Sequence, residues 1–296
     1  MSPYESGPGV TAKDVLMLAD IAPFRLAAWP AALALIFVTL GAARADSRLA
    51  AHYGVSVAGL AVGKADLDVV IGSTEYTSAA NGRASGLLRA LVTGEGALSA
   101  HGAVVDGRLV PAGFSARTAG DDETSSTTMT LESGDVKDVT AETSAPAAER
   151  VAVTADHRKG IVDPLSALLV EVGGTGEVVV AEACQRTLPI FDGRRRFDLA
   201  LSFKRIERVK AAKGYAGAAV VCSVTFKPIA GHRVGSPLVK YLDGRQIELT
   251  LAPITGTRLL APFRLSITNM LGNIVVEATA FETSTAPAEP AATAAR

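Results

Sequence analysis

The sequence predicts an all-β domain: a long, curved antiparallel sheet forming an open barrel or spiral, with one short helix near 164–172. Three observations predict it. Apolar residues recur with period two in one segment after another, the mark of strands with one face buried and the other wet. Pairs such as Asp106-Gly107 punctuate these segments and tolerate the positive φ that two-residue hairpin turns require. The stretches between strands lack the helical crossovers that a parallel sheet needs. With 296 residues, 48% of them hydrophobic and 20% charged, the chain can bury a sizeable core.

The N-terminus reads as an address. Residues 26–40 (LAAWPAALALIFVTL) carry no charge, Arg25 precedes them, and Ala43-Arg44-Ala45 follows as a small-x-small site before Asp46. That layout predicts a signal peptide over residues 1–45, cleaved after Ala45. The run contains Pro30 and falls short of the roughly 20 residues of a spanning helix, so no stable transmembrane anchor is expected after cleavage. Glu5, Asp14 and Asp20 depart from the usual positive flank, which leaves the start open between Met1 and Met17. Arg outnumbers Lys twenty to nine, and Ala and Gly are plentiful. This bias fits a GC-rich bacterial genome and a periplasmic destination.

The strands follow in order. Tyr53, Val55 and Val57 alternate with small or polar residues, as do Leu67, Val69 and Ile71. Phe197, Leu199, Leu201 and Phe203 form the cleanest series, with Asp198, Ser202 and Lys204 opposite. Val220, Cys222, Val224 and Phe226 repeat it, then Ile247, Leu249 and Leu251, then Phe263, Leu265 and Ile267. Turns are expected at Asn81-Gly82, Asp106-Gly107, Asp192-Gly193, Asp243-Gly244 and Gly272-Asn273, together the signature of an antiparallel meander. Asp163-Pro164 ahead of Leu165-Ser166-Ala167-Leu168-Leu169 predicts the helix, with an acidic cap and Pro at the first position. A second, uncapped helix is possible near 86–91. Residues 284–296 lack apolar periodicity and are expected to be a disordered tail. The domain itself spans 46–283.

Composition excludes several functions. Lys+Arg number 29 against 30 Asp+Glu, so no overall basic excess is available for nucleic acid phosphates. The charge is uneven: residues 46–156 hold 8 basic and 15 acidic side chains, residues 157–296 hold 18 and 12. Either the halves attract each other in one fold, or a basic face is offered to anionic lipid. His52, His101, His157 and His232 show no metal-ligand spacing. Gly59-Leu-Ala-Val-Gly63-Lys64 lacks both the spacing and the following Ser/Thr of a phosphate loop. The local hydrolase signatures are missing. No catalytic residue, metal or cofactor is assigned, and a non-enzyme is expected.

Two features remain as candidate sites. Cys184 and Cys222 are the only cysteines. In an oxidising compartment they read as a structural disulfide; a redox pair is the alternative, but such pairs lie close in sequence. Arg194, Arg195 and Arg196 head a basic run continuing through Lys204, Arg205, Arg208, Lys210 and Lys213. Such a run is either a solvated face or a patch for anionic head groups.

An ordered set of residues also carries a resemblance. It runs Tyr53-x-Val55-x-Val57-x-Gly59-Leu60-x-x-Gly63, Asp106-Gly107-x-x-x-Pro111-x-x-Phe114, Asp163-Pro164-Leu165-Ser166-Ala167 and Phe191-Asp192-Gly193-Arg194-Arg195-x-Phe197. Tyr215-x-Gly217 to Cys222, Pro228-Ile229-Ala230-Gly231 and Pro262-x-Arg264 complete it. Over roughly 49–282 the chain resembles the bacterial exported domain-of-unknown-function family three-one-zero-eight. The resemblance implies a β-rich envelope protein and supplies no catalytic residues. Two roles follow as expectations: a scaffold or partner-binding module of the envelope, or a carrier holding a lipid or acylated ligand in the concave face of the sheet. They differ in the interior, which a scaffold fills with side chains and a carrier leaves open to an apolar ligand.

Overall fold

A computed structural model describes residues 45–85, 94–120, 123–145, 147–268 and 272–287, all within one compact unit, Ala42–Arg296. The expected leader, apart from Ala45, and the helix expected near 86–91 lie outside the described residues. Every named strand belongs to one sheet. The first half is a meander: β1 (Ala45–Val57), β2 (Leu60–Ile71), β3 (Glu75–Ala84), β4 (Gly94–Val105), β5 (Arg108–Gly120), β6 (Thr124–Glu132) and β7 (Asp135–Thr143). The second half contributes β9 (Arg186–Phe191), β10 (Arg196–Lys210), β12 (Ala216–Ala230), β13 (Gln246–Pro253), β14 (Leu259–Thr268) and β15 (Ile274–Pro287). The order is β7-β6-β5-β4-β3-β2-β1-β15-β14-β13-β12-β10-β9. Its ends, β7 and β9, do not pair with each other, so the sheet is open, as predicted. Two short strands flank it: β8 (Val170–Glu171) pairs with β14, and β11 (Lys213–Gly214) runs parallel to β15.

Alternation explains the strands. In β2, buried Leu67, Val69 and Ile71 are separated by exposed Asp68 and half-buried Val70; in β6, buried Thr127, Met129 and Leu131 are separated by exposed threonines. Register shifts break the pattern at several places, two of which move predicted core residues. Between β13 and β14, Thr250 faces Arg264 and Leu251 faces Pro262, so Phe263 is skipped. Phe263 then packs on Phe281, with ring centroids 5.7 Å apart, while Leu265 and Ile267 join a second cluster around Cys222. These three residues were expected on one face; an extra residue in one strand reverses the alternation beyond it. In β10, Lys204 is skipped, which sets Phe203 opposite Cys222 and Ile206 opposite Val220. Phe203 and Ile206 remain 43% and 51% exposed.

The turn expectations divide. Asp106-Gly107 joins β4 to β5 with φ of 51° and 78°, Asp192-Gly193 joins β9 to β10, and Gly272-Asn273 falls between β14 and β15. Asn81-Gly82 is not a turn: both residues lie within β3 and pair with β2 on one side and β4 on the other. Asp243-Gly244 follows a helix rather than a strand. Two tight turns carry weaker signals, Ala58-Gly59 and Ser133-Gly134, where a non-glycine takes φ of 49° or 52°.

The helix near 164–172 is corrected. Asp163 does gather amides as a cap would, its Oδ1 accepting from Leu165 N at 3.0 Å and Ser166 N at 2.9 Å. Only a 3-10 turn, Ser166–Leu168, follows. Leu169 is extended and Val170–Glu171 pairs with Leu259 and Leu260. Burial of Val170 and Val172 together with ladder bonds outweighs local helix propensity, which is a weak preference. Among the described residues the α-helix is instead α1 (Pro237–Leu242), with Ser236 Oγ accepting from Val239 N and Pro237 in its first turn. Part of the expected tail is ordered: Ser284–Pro287, the end of β15, pair with Arg48–Ala45, and 288–296 lie outside the described residues.

Two clusters form the core. The larger draws on β1–β6, β14 and β15 and on the segment carrying Ile161, Leu165 and Leu169. That segment fills the curl of the first meander, tied there by a 2.6 Å hydrogen bond between the Tyr76 hydroxyl and Ser166 Oγ. The smaller cluster gathers Leu201, Val220, Cys222, Val224, Ile247 and Leu251 beneath Val172, Ala183 and Cys184. Cys184 and Cys222 are disulfide-bonded, with Cα atoms 5.4 Å apart, and both are fully buried. The bridge pins the 3-10 turn Ala181–Cys184 to the centre of β12.

Closing that loop restricts the unfolded chain, an effect on the order of 3–4 kcal/mol. Cys222→Ser is therefore expected to lower the unfolding free energy by about 2–5 kcal/mol, with a hydroxyl left on an apolar face. Urea unfolding of the oxidised protein and the variant checks this; equal midpoints and slopes would show that the bridge carries no stability.

Candidate functional site

The first meander turns a polar surface outward. A depression of about 970 Å³ crosses β2 to β7 and is lined by Lys64, Arg83, Arg117, Asp66, Glu95 and Glu142, interspersed with small hydroxyl residues. A smaller one of about 330 Å³ adjoins it, sharing Lys64 and Asp66 and reaching His52 and Thr279. His52 Nδ1 and Asp66 Oδ1 lie 2.5 Å apart between them. Charges of both signs on wet strands can pair with the polar groups of a partner. Among the described residues, no group of three or more His, Cys, Asp or Glu side chains could hold a metal ion.

The face opposite the charged one is packed with buried side chains. Tyr76, Phe191, Phe263, Phe281, Met129 and Leu165 are among its fully buried side chains. Its two buried tyrosine hydroxyls on β1 and β3 are tied to the frame. Tyr53 donates to the Pro262 carbonyl at 2.7 Å, and burial pushes both the Tyr53 and Tyr76 hydroxyls well above the ordinary tyrosine value.

The three arginines of the sequence pattern do not form one patch. Arg195 is exposed and its Nε donates to Asp192 Oδ2 at 2.8 Å. Arg196 is largely buried, its Nη1 donating to Asp198 Oδ1 at 2.5 Å and to the Phe197 carbonyl. Arg194 is half-buried, with Nε and Nη2 shielded from solvent and unpartnered. Further along, Lys204 and Arg205 are engaged by Glu248. The cysteines do come together. Sequence reasoning missed the depression because it has no motif: its charged residues alternate outward along strands and read as ordinary solvated faces.

One buried ionisable group stands apart. Asp163 is fully buried; Oδ1 serves the amides above, while Oδ2 has no partner. Burial raises its carboxyl above the ordinary value, although hydrogen bonds from Ser166 and Leu165 pull the other way. Folded Asp163 thus holds its proton more tightly than the unfolded chain does, so stability is lost as pH rises from the ordinary carboxylate range through the raised value. Asp163→Asn stays neutral. Unfolding measured from about pH 4 to about pH 7 should shift in the variant's favour relative to wild type. A difference that stays constant across that range would contradict it.

Comparison with known proteins bears on identity. A solved structure from Brucella abortus, a beta-barrel-like protein of the domain of unknown function DUF1849, aligns with a TM-score of 0.43 and 10% identity, over 82% of this chain and 98% of that one. A search of curated proteins gives no match. The profile of DUF3108, a protein family of unknown function, matches residues 50–279, which is most of the chain. That span runs from β1 to β15, and the chain therefore belongs to the DUF3108 family.

Proposed function

We propose that this protein is an exported, periplasmic envelope component that works without catalysis, as a scaffold or partner-binding module. The observation that carries this reading is the contrast between the two faces of the first meander. One is filled by side chains; the other opens a depression lined with charges of both signs. Mixed polar surfaces of this kind suit reversible association, since non-obligate interfaces are about as polar as the rest of a protein surface. The address rests on the leader over residues 1–45. Cleavage after Ala45 removes a single residue from the start of β1 and leaves Asp46 facing Ala286, so processing is compatible with the fold.

The alternative, a carrier of an acylated ligand, requires apolar space reaching solvent. The filled curl argues against it.

Native mass spectrometry with lipid extraction of the protein purified from cells tests both readings. The expected result is an unliganded chain beginning at Asp46. A stoichiometric co-purified lipid would replace the scaffold reading with the carrier. A chain retaining residues 26–40 would replace the cleaved form with an anchored one.

A further inference from the structure

Three separate segments converge beside the β9–β10 turn. Arg150 sits opposite Arg233 in an isolated antiparallel bridge. Backbone bonds stitch the two segments together: Val151 N to the His232 carbonyl at 3.1 Å, Gly231 N to the Val151 carbonyl at 2.8 Å, and Val234 N to the Glu149 carbonyl at 3.0 Å. Arg150 Nη1 donates to the Gly231 carbonyl at 2.9 Å. Gly231 then brings in the third segment. It has φ of 79°, and a Cβ there would fall onto the Arg194 carbonyl oxygen. Only glycine lets the 230–233 backbone press so closely on Arg194 and Arg195.

The result is a concentration of positive charge with little to balance it. Asp192 is already committed: Oδ1 accepts from Arg194 N at 2.9 Å and Arg195 N at 2.6 Å, and Oδ2 accepts from Arg195 Nε. Arg150, Arg194 and Arg233 have no ion-pair partner among the described residues. Arg194 Nε and Nη2 and His232 Nδ1 are shielded from solvent without a hydrogen-bond partner. Arg150 is held below the usual arginine value by partial burial, then by Arg233, Arg195 and Arg194, with Asp192 opposing. Like charges gathered this closely repel one another, and buried donors left unpaired cost free energy. An anion would relieve both.

We propose that Arg150, Arg194 and Arg233, with His232 beside them, form a binding site for a phosphate-type oxyanion. The planar guanidinium fork matches phosphate oxygens, and several forks on one anion give charge-assisted, geometrically selective bonds. The proposal stands independently of the scaffold reading. It differs from the patch of consecutive arginines in the sequence, because Arg195 and Arg196 are taken up by Asp192 and Asp198. The same chemistry is offered by a soluble phosphate and by a phospholipid head group.

Two assays separate these sources. Titration calorimetry of the purified protein with inorganic pyrophosphate reads the soluble anion. Co-sedimentation with phosphatidylcholine vesicles, with and without phosphatidylglycerol, reads the head group. Binding in either assay is expected, falling about tenfold or more in Arg150→Gln, Arg194→Gln or Arg233→Gln, since each loses a charge-assisted bond. Arg208→Gln, on the exposed part of β10, should bind as wild type does. A readout without variants is the thermal midpoint of wild type, which pyrophosphate should raise and sodium chloride of equal ionic strength should not. Wild type that binds neither probe and shows no shift overturns the site, as does undiminished, wild-type affinity in all three variants. Binding to vesicles alone assigns the head group, and binding to pyrophosphate alone assigns a soluble ligand.

Discussion

The pairing of β1 with β15 holds this protein together. The thirteen residue pairs from Ala45–Pro287 to Val57–Ile274 join strands near opposite ends of the chain. Without them the β1–β7 meander and the second meander would each carry another free edge at the join. Such edges invite mispairing, and only tertiary contacts remove them. The contact is also non-local, so its loop closure must be met before its ladder bonds form. The rest of the fold can be read as support for this join. Tyr53 reaches from β1 to Pro262, the rings of Tyr215, Phe263 and Phe281 pack together beside it, and β11 adds a parallel contact at Ala280 and Phe281.

A sheet this long has two faces to cover. The segment from Ile161 to Leu169 enters the curl of the first meander and packs with Tyr76, Phe114 and Met129 in the larger cluster. The segment from Val172 to Cys184 covers the second cluster and is locked by the disulfide. One continuous irregular stretch between the meanders thus closes both cores. This explains why it is not a continuous helix despite its capping signal: residues through Leu169 pack in the larger cluster and those from Val170 in the smaller one. It also accounts for the filled interior on which the scaffold reading rests.

Much of the architecture was legible in the sequence. Alternation in β2 reflects real one-sided burial, whereas β12 is buried on both faces over 219–222 and β13 over 250–252; Asp106-Gly107 and Asp192-Gly193 mark true hairpins. The errors have physical causes. Asn81-Gly82 has turn chemistry, but partners on both sides hold it extended. Phe263 and Leu265 have the spacing of one face, and a bulge separates them. Asp163-Pro164 begins a helix that β8 pairing ends after one turn. A similar cap-and-proline signal, Ser236-Pro237, yields a helix too short for periodicity to reveal. For the candidate sites, the disulfide followed from counting cysteines. The arginine cluster did not, since its members come from three segments joined only by tertiary bonds.

Native-state hydrogen exchange tests the account's central claim most directly, because local opening reveals which elements share the global unfolding free energy. If the β1–β15 ladder unites the two meanders, its ladder amides should exchange with those of β2 and β14, in the slowest class. Early exchange of β15, with β2 to β6 still protected, would show that the first meander stands alone and would contradict the account.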